Sequence, residues 1–134
     1  MGQGERSYLT FDLSSIPPGA TLTAAFLTLC RTNGSGGSRT HELRPAIADW
    51  TENGLTWNTQ PLTASAFHSI VAPSSAGCAS ATVTTSVQAW IAGAANYGWL
   101  IADQDEGTAP HVEWATREEV TVGLRPVLSV TYTP

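Results

Sequence analysis

Apolar and polar residues alternate with period two along most of this chain, and the alternation predicts its elements. Over residues 6–13, Leu9, Phe11 and Leu13 fall on one side and Tyr8, Thr10 and Asp12 on the other. That is the pattern of a half-buried strand. Pro17-Pro18-Gly19 stops it and makes a turn. Alternation resumes over residues 21–32, with Ala25, Leu27 and Leu29 against Phe26, Thr28 and Cys30. A Gly/Ser-rich loop follows at 33–38, then a third strand at 41–48, where Pro45 predicts an edge position or a bulge. Further strands are expected at 66–71, 79–83, 98–102, 111–115 and 126–132. Between them, residues 86–92 read as a short helix with Thr84 or Thr85 as its cap and Gly93 at its end. Val87, Trp90 and Ile91 share its inward face. Many short strands with Gly/Pro turns and one helix predict an all-β, jelly-roll-like antiparallel β-sandwich. The 134 residues fit one domain, 1–134, around one core. That core is expected to gather Leu9, Phe11, Leu27, Leu29, Trp90, Leu128 and Val130.

Composition narrows the partners. Charged residues are only 13% of the chain and its formal net charge is −5. No basic stripe exists, which argues against nucleic acid as a partner. No apolar run approaches the roughly 20 residues needed to span a bilayer, so membrane insertion is not expected. Cys30 and Cys78 show no Cys-x-x-Cys spacing, which argues against zinc. A structural disulfide and two free thiols both fit, and free thiols are the plainer reading where the compartment is unknown.

One segment is neither a plain strand nor a plain helix. In Asp49-Trp50-Thr51-Glu52-Asn53-Gly54-Leu55-Thr56-Trp57-Asn58-Thr59-Gln60-Pro61, two tryptophans flank a Glu-Asn-Gly turn. Three more signatures accompany it in order: Y-L-T-F-D-L-S-S-I from Tyr8, V-T-T-S-V-Q-A-W-I-A-G from Val83 with N-Y-G-W-L-I after it, and W-A-T-R-E-E from Trp114 with R-P-V-L-S-V-T-Y after it. Together they resemble the DNRLRE family, jelly-roll modules related to disaggregatase repeats and to one family of carbohydrate-binding modules. The resemblance implies a non-catalytic part of a secreted, cell-surface or viral protein. Thr10 and Thr82 stand where that pattern usually carries Arg and Asp. The pattern also begins before the position of Met1, which implies a sheet with an unpaired edge or one completed from outside by strand addition.

Enzyme chemistry finds little support. Glu113, Glu118, Glu119, Asp49 and Glu52 could supply a glycosidase carboxylate pair, yet nothing in the sequence brings two together. Arg117 beside Glu118 reads as an internal ion pair. His41, His68 and His111 lack metal-ligand spacing, and no triad or phosphate loop is present. No cofactor is expected. Calcium at the 103–106 turn is conceivable, although the turn lacks the dense alternating carboxylates of a strong loop.

Aromatic faces are the remaining chemistry, because sugars stack on them. Trp50 and Trp57 read as packing at the end of the sandwich and Trp90 as core. Trp99 alternates opposite Leu100 and fits either face of its strand, and core or cap is the favoured reading for each tryptophan; if a glycan platform exists, Trp99, Trp114, Tyr97 and Arg117 are its candidates. Phe26 and Cys30, opposite the core-facing residues of the second strand, are candidates for contact with a neighbouring subunit. The expected function is a non-catalytic structural or adhesive subunit on a larger assembly, such as a virion decoration, a fibre or a cell-surface layer. The alternative is a carbohydrate-binding module from a larger secreted, polysaccharide-acting protein. Either places it outside the cell, on a cell surface or on a virion surface, with neighbouring subunits or polysaccharide as partners.

Overall fold

The computed structural model describes residues 6–34, 38–51, 54, 63, 68–103, 112–115 and 120–133. Among the described residues, eight strands form two antiparallel sheets, so the all-β sandwich expected from the alternation is present. The first sheet has the order β1-β6-β3-β4, from β1 (Arg6–Leu9), β6 (Trp99–Asp103), β3 (Arg39–Pro45) and β4 (His68–Ala72). The second is built on the long β2 (Thr21–Gly34). Phe26 of β2 pairs with Thr82 of β5 (Gly77–Thr82) and with Ser129 of β8 (Val127–Thr133), so these strands flank it on opposite sides. β7 (Val112–Trp114) continues the β8 side further along β2.

Leu27 and Leu29 on β2, Leu43 on β3 and Ile70 on β4 are almost completely buried where the sheets face each other. Each contributes about 1.5–3 kcal/mol by leaving water. Near its start β2 changes phase, with a register shift between Leu22 and Ala24, so Leu22 and Ala25 both point inward although three positions apart. The irregularity is stitched to the helix α1 (Thr84–Ile91). Leu22 N donates to Gln88 Oε1 at 2.9 Å, and Ala25 N donates to Thr84 Oγ1 at 3.1 Å. This use of Thr84 corrects the expected cap. Val83 is the residue at the helix N-terminus, and no side-chain hydrogen bond caps it. Val83, Val87 and Ile91 bury the inner face of α1, and Gly93, at φ 124°, ends it as expected.

Three further expectations change. The first strand ends at Leu9 rather than Leu13. Alternation continues past it, with Leu9, Phe11 and Leu13 packed on the core, but at Phe11 a side-chain amide replaces a strand partner: Asn96 Nδ2 donates to Phe11 O at 2.9 Å. β3 is an interior strand, and Pro45 is tolerated because it is the last residue. Cys30 and Cys78 are directly opposite on β2 and β5 and form a disulfide, not two thiols.

The sandwich closes along one side. β4 and β5 are consecutive, lie alongside each other across the two sheets and bury Ile70, Ala72 and Ala81. Arg31 is buried there and donates to Pro73 O in the connecting turn. Along the opposite side, β1 and its continuation face β7 and β8. Phe11, Leu13, Ile16, Leu128 and Val130 are only half-buried there.

Candidate functional site

A cleft of about 400 Å³ opens in that less covered side, between the edge of the first sheet and the β7–β8 side of the second. Its floor includes the core residues Leu29 and Ile101, and its aromatic wall is Tyr8, Trp50, Tyr97 and Trp114. Ser7, Thr10 and Asp49 add exposed polar groups at its margin. This is the composition of a small-molecule site: concave, largely apolar, with a few polar groups.

Each aromatic side is held by the local fold. Asn96 is the hub of the first wall. Its amide donates to Phe11 O and its Oδ1 accepts from Gly98 N at 3.1 Å, which fixes the Asn96-Tyr97-Gly98 segment beneath β1. Only glycine fits at 98. Its φ is +76°, and an added Cβ would come within 2.1 Å of Leu9 O. Trp50 closes this wall: its indole Nε1 donates to Tyr97 O at 2.6 Å, and its ring lies 5.5 Å from that of Tyr8, tilted by 53°. Asp49 Oδ1 accepts from Trp50 N at 2.9 Å, and the side chain is exposed at the margin of the cleft.

Trp114 forms the facing wall from β7. Its Nε1 donates to His41 Nδ1 at 3.1 Å, and the rings meet edge to face at 5.6 Å and 86°. Accepting at Nδ1 requires the His41 tautomer with its proton on Nε2. His41 is thus a buried support for Trp114. The other described histidine, His68, is bonded through Nε2 to Ser86 Oγ at 2.6 Å, and burial lowers its pKa.

Of the residues singled out from the sequence, Tyr97 and Trp114 come together in the cleft. Trp99 does not. It is wholly buried, 4.7 Å from the Trp90 ring and 6.4 Å from that of Phe11, so it offers no face for a sugar. Period two left its face open; Trp99 lies with Ile101 on the inward face of β6, in the core. Arg117 lies outside the described residues, as do Trp57, Glu118 and residues 104–106 of the turn considered for calcium. Cys30 is 2% exposed and held in the disulfide, so it presents no contact surface. Phe26 is 44% exposed on the outer face of β2. Sequence reasoning missed Tyr8, weighed Asp49 only as an acid for a glycosidase pair, and placed Trp50 in packing alone. A usable signal existed: Tyr8 falls on the polar side of its strand, and Asp49-Trp50 opens the irregular segment.

Asp49 is the single described carboxylate that lines the cleft, so the described residues provide no acid pair there. No described helix is long and apolar enough to cross a membrane. Residues 2–132 match the family model of carbohydrate-binding module family 96. No curated protein matches the chain.

Proposed function

Because the chain belongs to carbohydrate-binding module family 96, we propose that it binds a glycan in the aromatic cleft between β1 and β7, without chemical turnover. Modules of this kind are non-catalytic and typically extracellular. The carrying observation is the facing pair of Trp114 and the Tyr8–Trp50–Tyr97 wall around one carboxylate, Asp49. A pyranose has apolar C–H faces and a rim of hydroxyls. Aromatic rings receive the faces, and a carboxylate oxygen accepts from the rim. A cleft of about 400 Å³ lies within the ordinary range for small ligands, roughly 300–1,000 Å³. The walls are preorganised by bonds to Tyr97 O and His41 Nδ1, which limits the ordering cost of binding.

The test is calorimetry against a panel of neutral and acidic oligosaccharides, backed by retardation in polysaccharide gels. Trp114→Ala and Tyr97→Ala should each weaken binding at least about tenfold, equivalent to about 1.4 kcal/mol. Asp49→Ala, at an exposed position, should weaken it with the fold intact by circular dichroism. Binding that all three variants retain at full strength would move the site elsewhere. No binding across the panel would remove the glycan reading. A second reading, a displayed structural or adhesive subunit, is favoured by one observation: the uncharged outer edge of β8, which pairs with nothing among the described residues.

A further inference from the structure

Edge strands of soluble proteins are normally protected. They are short, charged, interrupted by proline, bulged or covered, because exposed backbone N–H and C=O groups recruit another strand. Among the described residues, every edge strand but one follows that rule. β1 has four residues and β7 three. β4 and β5 lie against each other where the sandwich closes. β8 differs. It spans seven residues, Val127–Thr133, about 24 Å at 3.4 Å per residue. Its sequence, Val-Leu-Ser-Val-Thr-Tyr-Thr, has no charge, no proline and no glycine, and its β-branched and aromatic residues suit a strand. β2 pairs with one side of it, and the bulge in that pair is an extra residue on β2, so β8 itself stays regular. Among the described residues nothing pairs with its other side.

The face beside this edge is also unfinished. Leu128, Val130 and Tyr132 point toward Phe11, Leu13 and Ile16, and a groove of about 280 Å³ runs between them. Tyr132 is 36% exposed, and Leu128 and Val130 are half-buried. Asp12 and Ser15 line the outer part of the groove. An occupant that pairs with this edge must supply an extended strand with apolar side chains on the inward side, beside Leu128, Val130 and Tyr132.

β8 itself has that chemistry. We propose that the β8 edges of two copies of this chain pair antiparallel about a two-fold axis at Val130. The second sheets then join into one sheet across the dimer. With Val130 central, Leu128 lies opposite Tyr132 across the copies, and Ser129 lies opposite Thr131. The inward-facing residues of both copies form one apolar strip that extends each core. Such an interface is self-complementary, as a two-fold requires, and no like charges from β8 meet across it. Seven-residue strands with their adjoining groove make a small interface, so the dimer is weak and concentration-dependent. The net charge of −5 on each copy opposes it at a distance, so salt strengthens it.

The experiment is sedimentation analysis of the whole chain, without sugar, from micromolar to near-millimolar concentration. The wild type should pass from the mass of one chain to twice that mass, and at lower concentration as salt is added. Ser129→Lys with Thr131→Lys sets like charges opposite each other across the axis; both positions are exposed and outward-facing, so the fold is spared. This variant should lose at least tenfold in self-association, and so should Ser129→Glu with Thr131→Glu. Mixing the two should restore a dimer containing one of each. Hydrogen exchange of Val127–Thr133 should slow as wild-type concentration rises. A wild type that stays monomeric overturns the proposal and leaves the edge to a strand from a different polypeptide. A dimer indifferent to the lysines, or a mixture that fails to recover, overturns the pairing of β8 with β8. None of these readouts involves the glycan cleft, so failure here and failure of the carbohydrate reading are distinguishable.

Discussion

The two sides of the sandwich are built from the same period-two alternation and finish differently. Where β4 meets β5, the core-facing Ile70, Ala72 and Ala81 are buried. Ile70 and Ala72 are buried to 1% and 0% exposure, Arg31 reaches the turn carbonyl of Pro73, and the Cys30–Cys78 disulfide ties β2 to β5 beside them. Where β1 and its continuation meet β7 and β8, residues of equal hydrophobicity stay half-buried, and the aromatic cleft and a smaller groove lie between them. Burial on the closed side supplies stability. Incomplete burial on the open side leaves aromatic side chains and the β8 edge at the surface. Both proposed binding surfaces lie where the core stops short, and the difference is open to measurement from either side.

The largest effect belongs to the covalent tie of the closed side. The disulfide closes a loop with a sequence separation of 48. In the chain-entropy picture that loop length corresponds to about 4 kcal/mol. Reduction, or Cys30→Ser with Cys78→Ser, should lower unfolding free energy by about that amount in urea titrations. The disulfide also suits an oxidising compartment, in keeping with the extracellular setting typical of such modules. A loss below about 1 kcal/mol would mean that noncovalent packing alone holds the closed side.

A paired truncation sharpens the comparison directly. Ile70→Ala removes a side chain at 1% exposure and should cost about 3 kcal/mol, within the usual 2–5 for buried aliphatics. Leu128→Ala removes one of similar size from the half-buried open side and should cost about half as much. If the two losses were equal, the open side would be covered in solution. Repeating Leu128→Ala at high protein concentration separates the cause, because a dimer paired through β8 raises its cost while leaving that of Ile70→Ala almost unchanged.

Much of this was legible in the sequence. The alternation of Ala25, Leu27 and Leu29 gave the inner face of β2, and Val87 and Ile91 gave the inner face of α1. The aromatic content pointed to Tyr97 and Trp114. What failed had specific physical reasons. Period two says that Trp99 and Leu100 face opposite ways, but not which of the two faces the core; packing against Trp90 of α1 and Phe11 places Trp99 there. Pairing of Cys30 with Cys78 depends on the register of β2 against β5, a long-range fact. Thr84 resembles a cap locally, but the phase change in β2 leaves Ala25 N to be satisfied, and Thr84 Oγ1 accepts from it. The cleft is assembled from β1, β7 and the segments around Trp50 and Tyr97, so no single stretch of sequence displays it.

The smallest effect uses protons to address the two sides separately. On the closed side, His68 begins β4, and burial lowers its pKa from the ordinary 6.5. The folded state therefore favours neutral His68, whereas the unfolded chain takes up a proton first as pH falls. Its contribution to stability is intact above 6.5 and is lost as pH drops from there toward the folded value. On the open side, Asp12 is exposed, and hydrogen bonds from Ser14, the backbone one foremost, lower its pKa from 3.8. The folded state favours the carboxylate, so its contribution is present above 3.8 and disappears on further acidification through the folded value. Both losses have the same sign, but they occupy different windows. Denaturation midpoints should soften first just below 6.5, and His68→Gln should flatten that step while leaving the more acidic one. Asp12→Asn should do the reverse, with a smaller amplitude because water screens an exposed group. If the upper step persists in His68→Gln, another group on the closed side titrates there, and the assignment of that window to His68 is wrong.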